Sequence, residues 1–320
     1  MSADHADHAD PADHAGRGAR RSLILAAASW GLGTVLSKHA VGEIPPATLL
    51  AVQLAASLVA LGIVMRVRRL PLRDPAAPAA LGRLGLLNPG LAYALSLLGL
   101  TSITASLSVL LWAVEPILIL VLAWLVLRER IGPSLVVLSG LALGGMALLV
   151  YEPGGGAVAG VALTLAGIAC CAVYTVLGRR WLGTVDATAP VVVAQQAWAL
   201  AFAAGLVAVV GLTGGPVVPA AVSVAGGLSA VGSGILYYGA AYWFYLSALR
   251  RMPASSAAAS FYLIPVIGVA GGFLLLGERL VLIQWFGAGA VLLAVFLILR
   301  RPGEPDARPV PASVVPAVPD

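Results

Sequence analysis

Residues 115–131 read EPILILVLAWLVLRERI, and residues 264–280 read IPVIGVAGGFLLLGERL. In each stretch a proline opens an apolar run, and thirteen residues later a glutamate followed by arginine closes it. The copies lie 149 residues apart, and the same offset pairs Tyr93 with Tyr242, Ala105 with Ala254 and Ser106 with Ser255. Toward the N-terminus the offset drifts to about 142, pairing Lys38 with Arg180 and Gln53 with Gln195. The chain is therefore built twice, with halves at about 22–150 and 160–300. A tail at 1–21 and another at 301–320 flank them.

Composition says what surrounds the two halves. Of 320 residues, 60% are hydrophobic and only 10% charged, and mean hydropathy is +0.97. Soluble domains carry about 25% charged residues, so no water-exposed surface can be covered from this supply. A soluble enzyme, a nucleic-acid binder and a disordered chain are excluded. The apolar stretches are continuous rather than alternating, which excludes a β-barrel. Hydrocarbon offers backbone N–H and C=O groups no partner, so such stretches become helices.

A span takes about 20 residues, and the runs divide into ten: 22–41, 47–65, 82–100, 104–126, 131–150, 160–178, 189–211, 225–248, 255–276 and 281–299. Turn and charge signals separate them, among them Pro45-Pro46, Arg66 to Arg73, Arg128-Glu129-Arg130 and Gly214-Gly215-Pro216. Cytoplasmic loops collect Lys and Arg. With ten spans and a cytoplasmic N-terminus, 17 of the 19 Lys and Arg residues fall inside, and only Lys38 and Arg279 fall outside. The reading is an all-α integral membrane protein of the cytoplasmic membrane with both termini cytoplasmic. The basic balance serves an anionic bilayer surface, not nucleic acid.

Five helices per half is an odd number, so the second half enters the membrane from the opposite side. Inverted repeats of this kind place a binding region near the midplane between the halves. At this point the sequence resembles the drug/metabolite transporter superfamily, specifically the EamA-like ten-helix exporters. Trp30-Gly31 with Lys38, Glu115-Pro116 and the run into Leu127-Arg128-Glu129-Arg130 carry the likeness in the first half. Pro265 and the run into Leu276-Gly277-Glu278-Arg279-Leu280 carry it in the second. It covers about 22–300 and implies secondary active transport by alternating access. The implied substrates are small metabolites, amino acids or organic compounds moved outward, with a proton as coupling ion. An uncoupled uniporter and a non-transporting scaffold or receptor are the alternatives, and the assembly expected is a monomer or homodimer.

Glu115 stands out among the candidate site residues, as the one carboxylate deep within any span. Ionised residues at such depth line a cavity or find a partner. Glu115 is expected either to load and release a proton and meet a substrate, or to pack as a neutral acid. Helical spacing puts Ser108 and Trp112 on its face. Pro116 and Pro265 break backbone hydrogen bonds at matched positions, and Asn88-Pro89 marks a further break beside Tyr93. In the eighth span Tyr238, Tyr242 and Tyr245 share a face, read as a wet stripe or an interfacial belt. Trp30, Gln53 and Gln195 add ring and amide groups, each either a ligand contact or interhelical glue.

Gly140-x3-Gly144 and Gly268-x3-Gly272 are expected to allow close helix packing within the bundle. Cys170-Cys171 are expected as small packing residues. The His- and Asp-rich stretch 1–15 is read as a solvated tail. Gly154-Gly155-Gly156 lacks the Lys-Ser/Thr of a phosphate loop. No metal site or nucleophile–base pair can be assembled, so neither cofactor nor catalysis is expected.

Overall fold

The protein is described here from a computed structural model covering residues 11–71, 77–115, 117–119, 121–122, 133–150, 158–182, 188–249 and 263–299. Every described element is helical. Ten segments follow in chain order: α1 Pro11–Val41, α2 Pro46–Val67, α3 at 79–100, α4 Ala105–Ile119, α5 Pro133–Val150, α6 Val158–Leu182, α7 Thr188–Leu212, α8 at 224–249, α9 Leu263–Leu276 and α10 Leu282–Leu299. They answer one for one to the ten apolar runs. Pro46–Val67, Val158–Gly178 and Ala189–Leu212 are long and apolar enough to cross a membrane unbroken. Shorter apolar helices at Ala105–Ile119, Ile264–Leu276 and Leu282–Ala294 accompany them.

The helix α1 begins at Pro11, within the stretch read as an N-terminal tail. Proline suits a first helical position because its missing N–H is not needed there. The Ala- and Arg-containing residues that follow are good helix formers, so the span's helix runs back beyond its apolar part. The 128–130 and 301–320 segments and Pro116 lie outside the described residues.

The burial pattern is that of a bundle in lipid. Val59, Leu274 and Phe286 are among many large apolar side chains that face outward. Polar groups are inside instead: Gln53, Ser57, Thr164, Gln196 and Ser233 are all buried. A continuous apolar exterior is the surface that hydrocarbon, not water, accepts.

The packing pairs reproduce the repeat. Exchange α1 with α6, α2 with α7, α3 with α8, α4 with α9 and α5 with α10. The pairs α5–α10, α2–α7 and α4–α9 map onto themselves, while α3–α6 maps onto α1–α8 and α2–α8 onto α3–α7. The halves therefore interlock about a pseudo-two-fold axis. Residues on that axis meet their own counterparts: the hydroxyls of Tyr93 and Tyr242, 149 positions apart, are hydrogen bonded at 3.4 Å.

The glycine expectation holds for one motif only. Gly268 packs on Val109 of α4 and Gly272 on Ser106. Gly140 and Gly144 instead face outward with open space before them, and it is Gly145 that lies against Gly287 and Val291 of α10. With α10 as its one close partner among the described residues, α5 turns Gly145 inward and leaves Gly140 and Gly144 facing outward.

Candidate functional site between the repeats

The third helix of each half is broken, and at matched places. In α3 the wide turn Leu87–Leu91 contains Asn88 in extended conformation (φ −142°, ψ 119°). Pro89 has no N–H to give to the helix, so the ladder parts here as expected from Asn88-Pro89. In α8 the equivalent segment Gly234–Ala240 is a π-helix. Such bulges are frequent at functional sites because they re-aim side chains. Each break has a glycine crossed by another backbone, two residues before it in α3 and at its first residue in α8. A Cβ on Gly85 would strike the carbonyl oxygen of Gln195, and one on Gly234 that of Gln53.

Those two glutamines are interhelical ties, not cavity groups. Gln53 on α2 donates from Nε2 to Ser37 Oγ of α1 (2.9 Å) and Ser233 Oγ of α8 (2.7 Å). Gln195 on α7 accepts from Tyr174 Oη of α6 (2.9 Å) and donates to the Leu81 carbonyl of α3 (3.1 Å). The pseudo-two-fold exchanges one set with the other. Beside them Ser57 Oγ donates to Gln196 Oε1 (2.6 Å), and Gln196 Nε2 to the Tyr238 carbonyl (2.8 Å). Burying an amide without partners is costly, and each one spans two or more helices, with Oε1 of Gln53 alone among their amide oxygens left without a partner among the described residues.

Between the halves lies a cavity of about 200 Å³. Rings form much of its wall: Trp30, Tyr93, Trp112, Tyr174, Tyr237, Tyr242 and Tyr245. Trp30 meets Tyr242 and Tyr245 edge to face at 5.6 and 5.5 Å, and Tyr93 stacks on Trp112 at 5.5 Å. Glu115 lines it from α4, Asn88 from the α3 break and Pro265 from α9. Glu115 is only partly covered and forms no hydrogen bond among the described residues. It is also the one charged side chain among the described lining residues. At about 1.5 Å per residue, Glu115 lies roughly 15 Å along α4 from Ala105.

Of the residues singled out from sequence, Glu115, Trp112, Tyr93, Trp30, Tyr242, Asn88 and Pro265 thus gather at one cavity. Ser108 and Tyr238 do not line it. They border an adjoining space of about 20 Å³ with Ser37 and Ser96, walled off by Thr34, Tyr93, Trp112 and Tyr237, which line both; it has room for about one water. For Tyr238 the reason is the π-helix. Wider turns bring residues five apart onto one face, so Tyr237 joins Tyr242 in the wall and Tyr238 turns away. Pro89 shapes the break without lining the cavity.

Sequence reading missed Thr34, Cys171, Tyr174 and Thr175 as lining residues. Tyr174-Thr175 carried a usable signal, being hydroxyls at depth in an apolar span. Cys171 is buried as expected for a packing residue, but beside the cavity.

One face of the bundle is tied together by carboxylates. This face carries the connections 42–45, 101–104, 213–223 and 277–281. Glu278, after α9, accepts from Ala105 N (2.7 Å), Ser106 N (2.9 Å) and Ser106 Oγ (2.6 Å) at the start of α4. A carboxylate over free amides at a helix N-terminus also gains from the helix dipole. Lys38 Nζ donates to the Leu100 carbonyl at 2.8 Å nearby. Glu43, after α1, accepts from Ser223 N (2.7 Å) and Oγ (2.8 Å) before α8. These bonds, the Ser223 backbone amide first, hold the Glu43 carboxyl below the usual carboxylate range. Each clamp ties one half to the other.

An interlocked repeat of apolar helices, with a ring-lined cavity at the contact of its halves, is the architecture of a membrane transporter. Residues 22–151 and 158–300 each match the EamA-like transporter family. The chain belongs to that family, a multi-pass transporter and not an enzyme. It is similar to an "Uncharacterized transporter" of Archaeoglobus fulgidus, at 29% identity over 293 residues covering 87% of this chain and 98% of that one. A solved structure described only as "Crystal structure of protein" superposes with TM-score 0.60 at 19% identity, covering 89% of this chain and 96% of its own. At that identity the likeness speaks for the fold alone.

Proposed function

We propose that the protein is a secondary active exporter. It moves small metabolites, amino acids or other organic compounds across the cytoplasmic membrane by alternating access, with protons moving the other way through Glu115. Both termini and the Arg-rich connections face the cytoplasm, following the positive-inside bias. The clamped face with Glu43 and Glu278 is then the outer one.

One observation carries the reading: a lone carboxyl without a hydrogen-bond partner among the described residues opens into a cavity where the repeats meet. Ionised residues at membrane depth mark proton relays and substrate paths. A carboxyl used only for packing would instead be expected to share a hydrogen bond with a neighbouring helix, as the buried glutamines do.

Purified protein in vesicles under an imposed pH gradient, offered a panel of amino acids, amines and aromatic metabolites, tests this. The expected result is gradient-dependent accumulation of at least one solute, lost in Glu115→Gln. Flux that ignores the gradient and survives Glu115→Gln would establish a uniporter instead. No flux of any solute would favour the scaffold.

A further inference from the structure

We infer that the cavity is a site for a small organic monocation, an ammonium with at least two N–H bonds and an aromatic or apolar body. The inference deepens the transport reading, and rests on it only for the consequence that such a compound is carried.

Three features of the wall select this chemistry. Glu115, when ionised, supplies one negative charge, and no cationic side chain stands opposite it among the described lining residues. An anionic solute would meet that carboxylate unscreened, and a neutral one would leave it without a counter-charge. Second, Trp30, Tyr93, Trp112 and Tyr242 present rings around the same space, and ring faces attract cations. Their pairing at 5.5–5.6 Å, edge to face for Trp30–Tyr242 and stacked for Tyr93–Trp112, holds this wall in place without a ligand.

The third feature separates one kind of cation from another. Asn88 is 5% exposed, lines the cavity, and its Oδ1 is a buried acceptor with no hydrogen-bond partner. Buried acceptors left unmet are rare and call for an explanation. The extended backbone of Asn88, set by the α3 break, is what delivers that amide to the wall. That oxygen is closed off from the open space of the cavity, so the amide must turn before a donor on the solute completes it. A primary or secondary ammonium has such a donor in addition to the one that meets Glu115, whereas a quaternary ammonium has none. Volume bounds the size: a cavity of about 200 Å³ admits a small molecule only.

The test is equilibrium binding to the full-length protein in detergent, by calorimetry. Four probes share one body: 2-phenylethylammonium, its N,N,N-trimethyl derivative, 2-phenylethanol and 3-phenylpropionate. The primary ammonium should bind at least tenfold more tightly than the alcohol and the acid. Glu115→Gln should erase that preference and Glu115→Asp should keep it, so a folding defect is distinguishable from loss of charge. The trimethyl probe should bind severalfold more weakly than the primary one to the unaltered protein, and Asn88→Leu should narrow that gap.

Binding of the acid as tight as that of the amine, or a preference that survives Glu115→Gln, would overturn the assignment. A trimethyl probe that binds as well as the primary ammonium would overturn the role of Asn88. The two readings fail separately. An amine that binds but is never carried in vesicles defeats the transport reading and leaves the site. Proton-driven flux of an acidic solute without amine binding does the reverse.

Discussion

Three glutamates contrast the two working regions of this molecule. At the clamped face, Glu278 receives three hydrogen bonds and Glu43 two, all from the opposite half of the chain. In the cavity, Glu115 receives none from the described residues. A carboxylate whose lone pairs are filled by backbone amides holds two helices together. One that faces open space among rings has its capacity left for something that arrives from outside. The same residue type thus serves closure in one place and exchange in the other, and the neighbours decide which.

The largest effect expected from this contrast is on flux. Glu115→Gln should lower gradient-driven transport at least tenfold while leaving thermal stability within about 2 °C of the parent, since no hydrogen bond from the described residues is lost. A large fall in melting temperature would mean that Glu115 holds the bundle, erasing the difference from Glu278. Glu278→Ala is the opposite case. It strips three bonds from the α4 terminus, and hydrogen bonds to a charged group contribute about 1.5–3 kcal/mol each at most. A net destabilisation of about 2 kcal/mol is expected, read by denaturation in detergent, with ligand affinity in the cavity preserved.

Glu43 gives the smallest effect, and it has a pH signature. Its carboxyl is held below the usual range by Ser223. A depressed value means the bond is fully present above the unfolded carboxylate's pKa of about 4.3 and is lost as pH falls through the folded value. Hydrogen exchange at the Ser223 amide should therefore stay protected at neutral pH and speed up only in acid. In Glu43→Gln the acid step should disappear. An acid step that persists there would assign it to another group.

Much of this layout is legible in one dimension. Ten apolar runs, the 149-residue offset and the position of Glu115 need only counting, and the helices and packing pairs follow them. The Asn88-Pro89 break is also local, because proline removes a donor wherever it stands. What sequence could not show is any contact made across the halves. Gln53 and Gln195 look like solitary polar groups until Ser233 and Leu81 arrive from the other repeat. Tyr238 was placed in the wall by a regular helical period, and the π-helix moved Tyr237 there instead. Glu278 reads as a loop motif, and its hold on Ala105 and Ser106 appears only when the repeats are folded together.

The central claim is that a proton and a solute share Glu115 between the repeats. Its most direct test runs the cycle backwards. Vesicles at equal internal and external pH are given a gradient of the solute that the flux panel selects, and internal pH is followed with a dye. The account predicts that solute movement drives protons the opposite way in the unaltered protein and not in Glu115→Gln. Solute movement with no change in internal pH beyond that seen with Glu115→Gln would contradict it.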